Sequence, residues 1–168
     1  MTTLYAHDTN AMTQAAITPR YSFEEYVDRC AQTDERYELV RGELIKMTPP
    51  TWAHILIARF LERVFESEIN QLGHDWIAVR ETGQRTDIDS SRLPDVVVVP
   101  VSAIQSVLYQ TAILTVPAPI VVEIVSPGSA ADDYTAKRYE YQALGVREYW
   151  IVDFLGVGAA KYIGVPKS

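Results

Sequence analysis

At 168 residues, 48% of them apolar and 22% charged, the chain has the size and balance of one globular domain with a sizeable core. Its formal charge of -7 argues against general affinity for nucleic acid, which needs a broad basic face, but leaves room for a local basic track beside a carboxylate-rich site. A lone cysteine, Cys30, excludes an internal disulfide or a cysteine-based zinc cluster. No apolar run approaches the ~20 residues of a membrane helix, and the start, MTTLYAHDTNAMTQAAITPR, carries no signal-peptide pattern, so the expectation is a cytoplasmic protein without a membrane partner.

Residues 1–17 are polar and aperiodic and read as a loosely ordered tail, which leaves 18–168 as a single domain. Ser22 and Glu25 form a capping box, and Tyr21 and Tyr26 a hydrophobic staple, so a helix is expected from Phe23 to about Ala31. Cys30 on that helix reads as a small buried thiol. RYELVRGELIKM predicts two short antiparallel strands about Arg41-Gly42, with Glu38 and Val40 on one face. TWAHILIARFLERVFESEINQLG repeats apolar residues at Leu56, Phe60 and Val64 and at Ile57, Leu61 and Phe65, which marks the main amphipathic helix, stopped by Gly73.

WIAVRET and LPDVVVVP read as strands separated by a polar connector, GQRTDIDSSR, and SAIQSVLYQ as a short helix. PIVVEIV is a strand dense enough in β-branched residues to be buried on both faces. Ser129 with Asp132 gives a capping signal for a helix over DDYTAKRYEYQAL, Gly145 ends it, and EYWIVDF returns as a strand. Strand, helix and strand make a βαβ unit with a parallel pair, so the coarse class is α/β or α+β with a mixed sheet covered by helices.

Two carboxylates stand on the apolar strands: Asp95 opens VVVV and Glu123 interrupts PIVVEIV. Close carboxylates repel unless they share a proton or a hard cation, and Mg²⁺ with its oxygen ligands, including a neighbouring carbonyl such as that of Ile124, suits this pattern. Lys137 lies on the more apolar side of its helix, with Tyr134, Tyr141 and Leu144, where it could orient water or stabilise charge on a phosphate. Each residue also has an ordinary reading. Asp95 suits a turn after proline, Glu123 a structural ion pair with a core arginine or histidine, and Lys137 a snorkelling surface lysine. Glu38 reads as a solvated strand residue, His54 as a packed or capping histidine, and Arg80, Arg85, Arg92, Arg138 and Arg147 as surface charges. GVGAAKYIG lacks the GKS/T pattern of a phosphate loop.

YELVRGELIKM, RLPDVVVV, VVEIVSP, the DDYTAKRYEY helix and GVREYWIVD, in that order, resemble the Uma-two family of putative restriction endonucleases. The resemblance implies a restriction-endonuclease-like PD-(D/E)XK fold, a mixed β-sheet flanked by helices with a C-terminal βαβ unit. It also implies a Mg²⁺- or Mn²⁺-dependent endonuclease acting on DNA, with Asp95, Glu123 and the Ile124 carbonyl as metal ligands and Glu38 as an additional acidic residue at the metal. The lysine of the family name is absent two residues after Glu123, where Val125 stands, and the resemblance assigns its role to Lys137. It further implies a version shortened at the C-terminus. A homodimer is expected by analogy with nucleases that cut both strands of a symmetric duplex. The competing expectations are a non-catalytic, nuclease-like binding domain and a hydrolase of another phosphate ester.

Overall fold

The computed structural model describes residues 19–164, so the tail read at 1–17 lies outside the described residues. The capping box forms as expected: helix α1 (Phe23–Ala31) starts at Ser22, whose hydroxyl accepts from the Glu25 N–H while its own N–H donates to the Glu25 carboxylate at 2.7 Å. Strands β1 (Tyr37–Val40) and β2 (Glu43–Lys46) pair across a two-residue turn in which Arg41 and Gly42 both have positive φ, 50° and 80°. Helix α2 (Trp52–Leu72) is capped by Thr51 and stopped by left-handed Gly73.

The polar connector after β3 (Trp76–Val79) is not a loop. It forms the strands β4 (Gly83–Asp87) and β5 (Ser90–Arg92), which pair with each other and carry the first hairpin. Polar side chains hide these strands from a hydrophobicity pattern, yet Gln84, Ser90, Ser91 and Arg92 are all buried. After β6 (Val96–Pro100), SAIQSVLYQ forms only two short 3₁₀ turns, Val101–Ala103 and Gln105–Val107. The brief strand β7 (Ile113–Leu114) then leads to β8 (Ile120–Ile124).

The expected helix over DDYTAKRYEYQAL is broken into α3 (Ala130–Tyr134) and α4 (Ala136–Leu144). At the break, the Thr135 hydroxyl donates to the Ala131 carbonyl and its backbone leaves helical geometry. Nor does Ser129 cap α3; its hydroxyl instead bonds with Ser126. Strand β9 (Glu148–Val152) runs parallel to β8 and completes the βαβ unit. Beyond it a short helix, α5 (Ala159–Tyr162), is tied down by Asp153, whose carboxylate accepts the N–H groups of Val157, Gly158 and Ala159.

Among the described residues, nine strands make two mixed sheets instead of one: β2-β1-β5-β4-β7 and β3-β6-β8-β9. In the second, α2 covers one face, with Ala58, Phe65 and Ile69 against Val96, Val98, Val122 and Ile124. Val97, Val99 and Val121 on the other face meet Tyr141 of α4. Strands β6 and β8 are therefore buried on both sides, as their valine runs require. Only one of the two apolar rows expected on α2 is used. Ile57, Leu61 and Phe65 face the core, whereas Leu56, Phe60 and Val64 stay exposed, because a straight helix turns a single stripe toward a sheet. Among the described residues no helix is long and apolar enough to cross a membrane.

Candidate active site

Strand alternation decides where Glu123 points. Val122 and Ile124 enter the α2 side of the sheet, so Val121 and Glu123 face α4. There the Tyr141 hydroxyl donates to Glu123 Oε1 at 2.8 Å, and Lys137 Nζ lies 3.0 Å from Oε2. The lysine does not fully compensate the burial. Desolvation, opposed by Lys137 and reinforced by the charges of Asp95, Asp133 and Glu38, pushes the Glu123 carboxyl up to about 8.

Lys137, expected as a snorkelling lysine on the ordinary reading, is instead 4% exposed and held among three carboxylates. Its Nζ is 3.0 Å from Asp133 Oδ1, 3.0 Å from Glu123 and 3.6 Å from Glu38 Oε1. Burial works against the ammonium, but Glu123, Glu38 and Asp133 outweigh it and keep the group charged, well above the ordinary lysine range. Asp133, four residues before Lys137, is buried, and its Oδ1 is paired with the Lys137 ammonium. Its carboxyl is raised by that burial.

Glu38 is not solvated. Its Oε2 accepts from Arg92 Nη1 at 3.0 Å and its Oε1 from the Leu93 N–H at 3.1 Å. Burial alone would raise its carboxyl, but the Lys137 and Arg92 charges bring it below the ordinary value. Arg92 is likewise not a surface charge, being 1% exposed, and its remaining nitrogens grip Glu140.

Asp95 sits where β5 crosses to β6. Its N–H donates to the Val122 carbonyl at 3.0 Å, its Oδ2 accepts from the Ile124 N–H at 2.7 Å, and its Oδ1 lies 2.6 Å from His54 Nε2. His54 thus joins the candidate site from the first turn of α2, a role that the sequence left open. Asp95, Glu123, Ile124, Lys137 and His54 all line one cleft of about 330 Å³, with Arg36 and Arg80 among its other walls. Arg80 is held by Glu62, Nε to Oε2 at 2.9 Å, while Arg85 lies over the Phe23 ring. Glu38 stands behind Lys137 and is not part of the cleft lining.

The donor set fits a hard divalent cation. Asp95 and Glu123 offer carboxylate oxygens and Ile124 a backbone carbonyl. Glu38, Glu123, Asp133 and Glu140 share Lys137 and Arg92, so the cluster is short of positive charge. No group of three or more His, Cys, Asp or Glu side chains among the described residues forms a ready cation cage.

The family described as "Putative restriction endonuclease", Uma2, matches residues 23–160. The chain belongs to the Uma2 family. The fold of this Uma2 chain is also similar to that in a crystal structure of a protein described as a putative nuclease belonging to DUF820, from Anabaena variabilis ATCC 29413. The TM-score is 0.61 and the identity 21% over 76% of this chain and 73% of the other. No protein of curated function matches the Uma2 chain. The expected mixed α+β, nuclease-like architecture therefore holds, with two sheets in place of one.

Sequence reasoning missed Asp133, Tyr141, Arg92 and Glu140 as members of the cluster. Asp133 carries a usable signal in its i,i+4 spacing to Lys137, which the capping pattern of Asp132 masks. Tyr141 was counted toward an apolar face, although its hydroxyl is what bonds Glu123.

Proposed function

We propose that the chain is a Mg²⁺-dependent endonuclease, also active with Mn²⁺, that hydrolyses DNA phosphodiester bonds through attack by water. The observation that carries this reading is the meeting of Asp95, Glu123, the Ile124 backbone and Lys137 on one cleft that is short of positive charge. Asp95, Glu123 and the Ile124 carbonyl would hold the ion, and Glu38 would assist from behind Lys137. When bound, the ion supplies Lewis acidity and lowers the pKa of water.

His54 and the Ile124 N–H fix the Asp95 carboxylate from two sides, so its orientation is set before any ligand arrives. Tyr141 does the same for Glu123. Lys137 is charged and compact, suited to donate to the attacking water or to stabilise charge developing on the phosphate. Arg36 and Arg80 on the walls supply a local attraction for a phosphodiester in spite of the acidic net charge. Action in the cytoplasm, and as a homodimer that presents one cleft to each strand, belongs to the same proposal.

Purified protein should cleave plasmid or oligonucleotide DNA with Mg²⁺ or Mn²⁺. Asp95→Ala and Glu123→Ala should lose that activity by at least ~100-fold, the scale on which removal of positioned charge acts. Undiminished cleavage in both variants would rule out the mechanism. Calorimetric titration with Mn²⁺ separates the competing binding-domain reading, which expects no heat or heat unaffected by Glu123→Ala. Cleavage of a small phosphate ester but not of DNA would point to the third reading.

A further inference from the structure

We propose that Arg92 is a positioning residue that clamps α4 to the five-stranded sheet and thereby sets where Lys137 stands in the cleft. This rests on the nuclease reading above. Arg92 closes β5 and is buried between the sheet and the helix. Its guanidinium forks in two directions. Nη1 donates to Glu38 Oε2 at 3.0 Å, while Nε and Nη2 donate to the two oxygens of Glu140 at 2.7 and 2.5 Å.

Glu140 lies three residues beyond Lys137 on α4, so the two share a helix face. Thr86 of β4 donates to the same Glu140 carboxylate at 3.0 Å. The helix is thus pinned to β4 and β5 less than one turn from the lysine. The other prong acts from behind the lysine: Glu38, held by Arg92 and the Leu93 N–H, turns its Oε1 toward Lys137 Nζ at 3.6 Å. Lys137 is located along the helix by Glu140 and across from it by Glu38, with a single side chain governing both.

Arginine suits this task because its planar fork fixes two carboxylates at set angles; a lysine there would keep the charge and lose the geometry. Stability alone is a poor reason for the arrangement, since buried ion pairs are often no more stabilising than apolar packing.

The test compares Arg92→Lys, Lys137→Met and the double variant. Lysine accessibility is read by acetic anhydride labelling and peptide mass spectrometry, with the exposed Lys46 as the internal standard. In wild type Lys137 should resist labelling. In Arg92→Lys its labelling should rise ~10-fold relative to Lys46, with cooperative melting retained, because the fork that locates it is gone. In DNA cleavage, Arg92→Lys should lower kcat ~10-fold with KM little changed, and should have no further effect in the Lys137→Met background, as expected when one residue acts through the other. Lys137 that stays protected in a folded Arg92→Lys protein overturns the proposal. So does an equal kcat loss from Arg92→Lys in the presence and absence of Lys137. If Arg92→Lys fails to fold, Glu140→Gln, which leaves the Arg92–Glu38 bond intact, must expose Lys137 to labelling or the clamp is wrong. A wild-type protein without nuclease activity overturns the nuclease reading and not the clamp, which labelling decides by itself.

Discussion

Glu38 and Glu123 flank one ammonium group, yet their carboxyls move in opposite directions. Glu38 is served by both Lys137 and Arg92 and falls below its ordinary value, whereas Glu123 has Lys137 alone against burial and three neighbouring carboxylates, and rises to about 8. The consequence for stability has opposite signs. Between pH 4.5 and about 8 the folded chain keeps a proton on Glu123 that the unfolded chain has released, so its contribution is full below pH 4.5 and lost as pH rises through about 8. Glu38 behaves in reverse, its stabilisation being present above the unfolded-state pKa and lost as pH falls. Melting temperature of the metal-free protein, measured across this range, should decline as Glu123 loses its proton, and Glu123→Gln should flatten that decline. A wild-type profile that rises over the same window by an amount Glu123→Gln leaves unaltered would refute the assignment. Saturating Mn²⁺ should shrink the decline, because a bound cation favours the charged carboxylate.

At the scale of elements, local chemistry explains what the sequence made legible. The capping box of α1, the Arg41-Gly42 turn and the left-handed Gly73 and Gly145 are each decided within a few residues. The strands β6 and β8 announce themselves because both of their faces are apolar. Asp95, Glu123 and Lys137 stood out for the same reason, as charges on such apolar elements. The hairpin of β4 and β5 did not, since its buried side chains are polar, and Gln84 and Arg92 find their partners on distant segments. The fold-back of α5 was equally hidden. Gly158 lets it approach so closely that an added Cβ would lie 2.3 Å from Tyr134 Cε2. The Tyr134 ring cannot easily yield, being stacked on Tyr162 and bonded through its hydroxyl to Asp153. Gly158→Ala should therefore cost about 1–3 kcal/mol in urea denaturation, as overpacking does. It should also make the segment after β9 the first site of limited proteolysis, and a variant of wild-type stability would show that the turn packs loosely.

Across the whole molecule, the two sheets are joined by polar contacts as well as by the apolar cluster that unites Leu114 with Val97, Val99 and Val121. The amide of Gln84, fully buried on β4, donates to the carbonyls of Leu114 and Val116 and accepts from the Ala118 N–H at 3.0 Å, tying the first sheet to the segment that enters β8. Gln84→Leu would keep the volume and orphan those backbone groups, for an expected loss of about 2–5 kcal/mol. The urea midpoint should fall with the slope unchanged; a neutral result would mean that the sheets dock without this amide.

A three-residue passage, Leu93-Pro94-Asp95, leads from Arg92 on one sheet to β6 on the other. Leu93 is anchored by Glu38, and Pro94 restricts both its own backbone and that of Leu93. These two residues act as a ruler. One sheet contributes the arginine and Glu38, the other contributes Asp95 and Glu123, and the spacer sets the phase between the halves. A chain lengthened by one residue at this point would retain every side chain of the cluster and still be out of step with itself. Tolerance to insertion should therefore be lowest at a short crossing whose Leu93 and Pro94 side chains bear none of the chemistry.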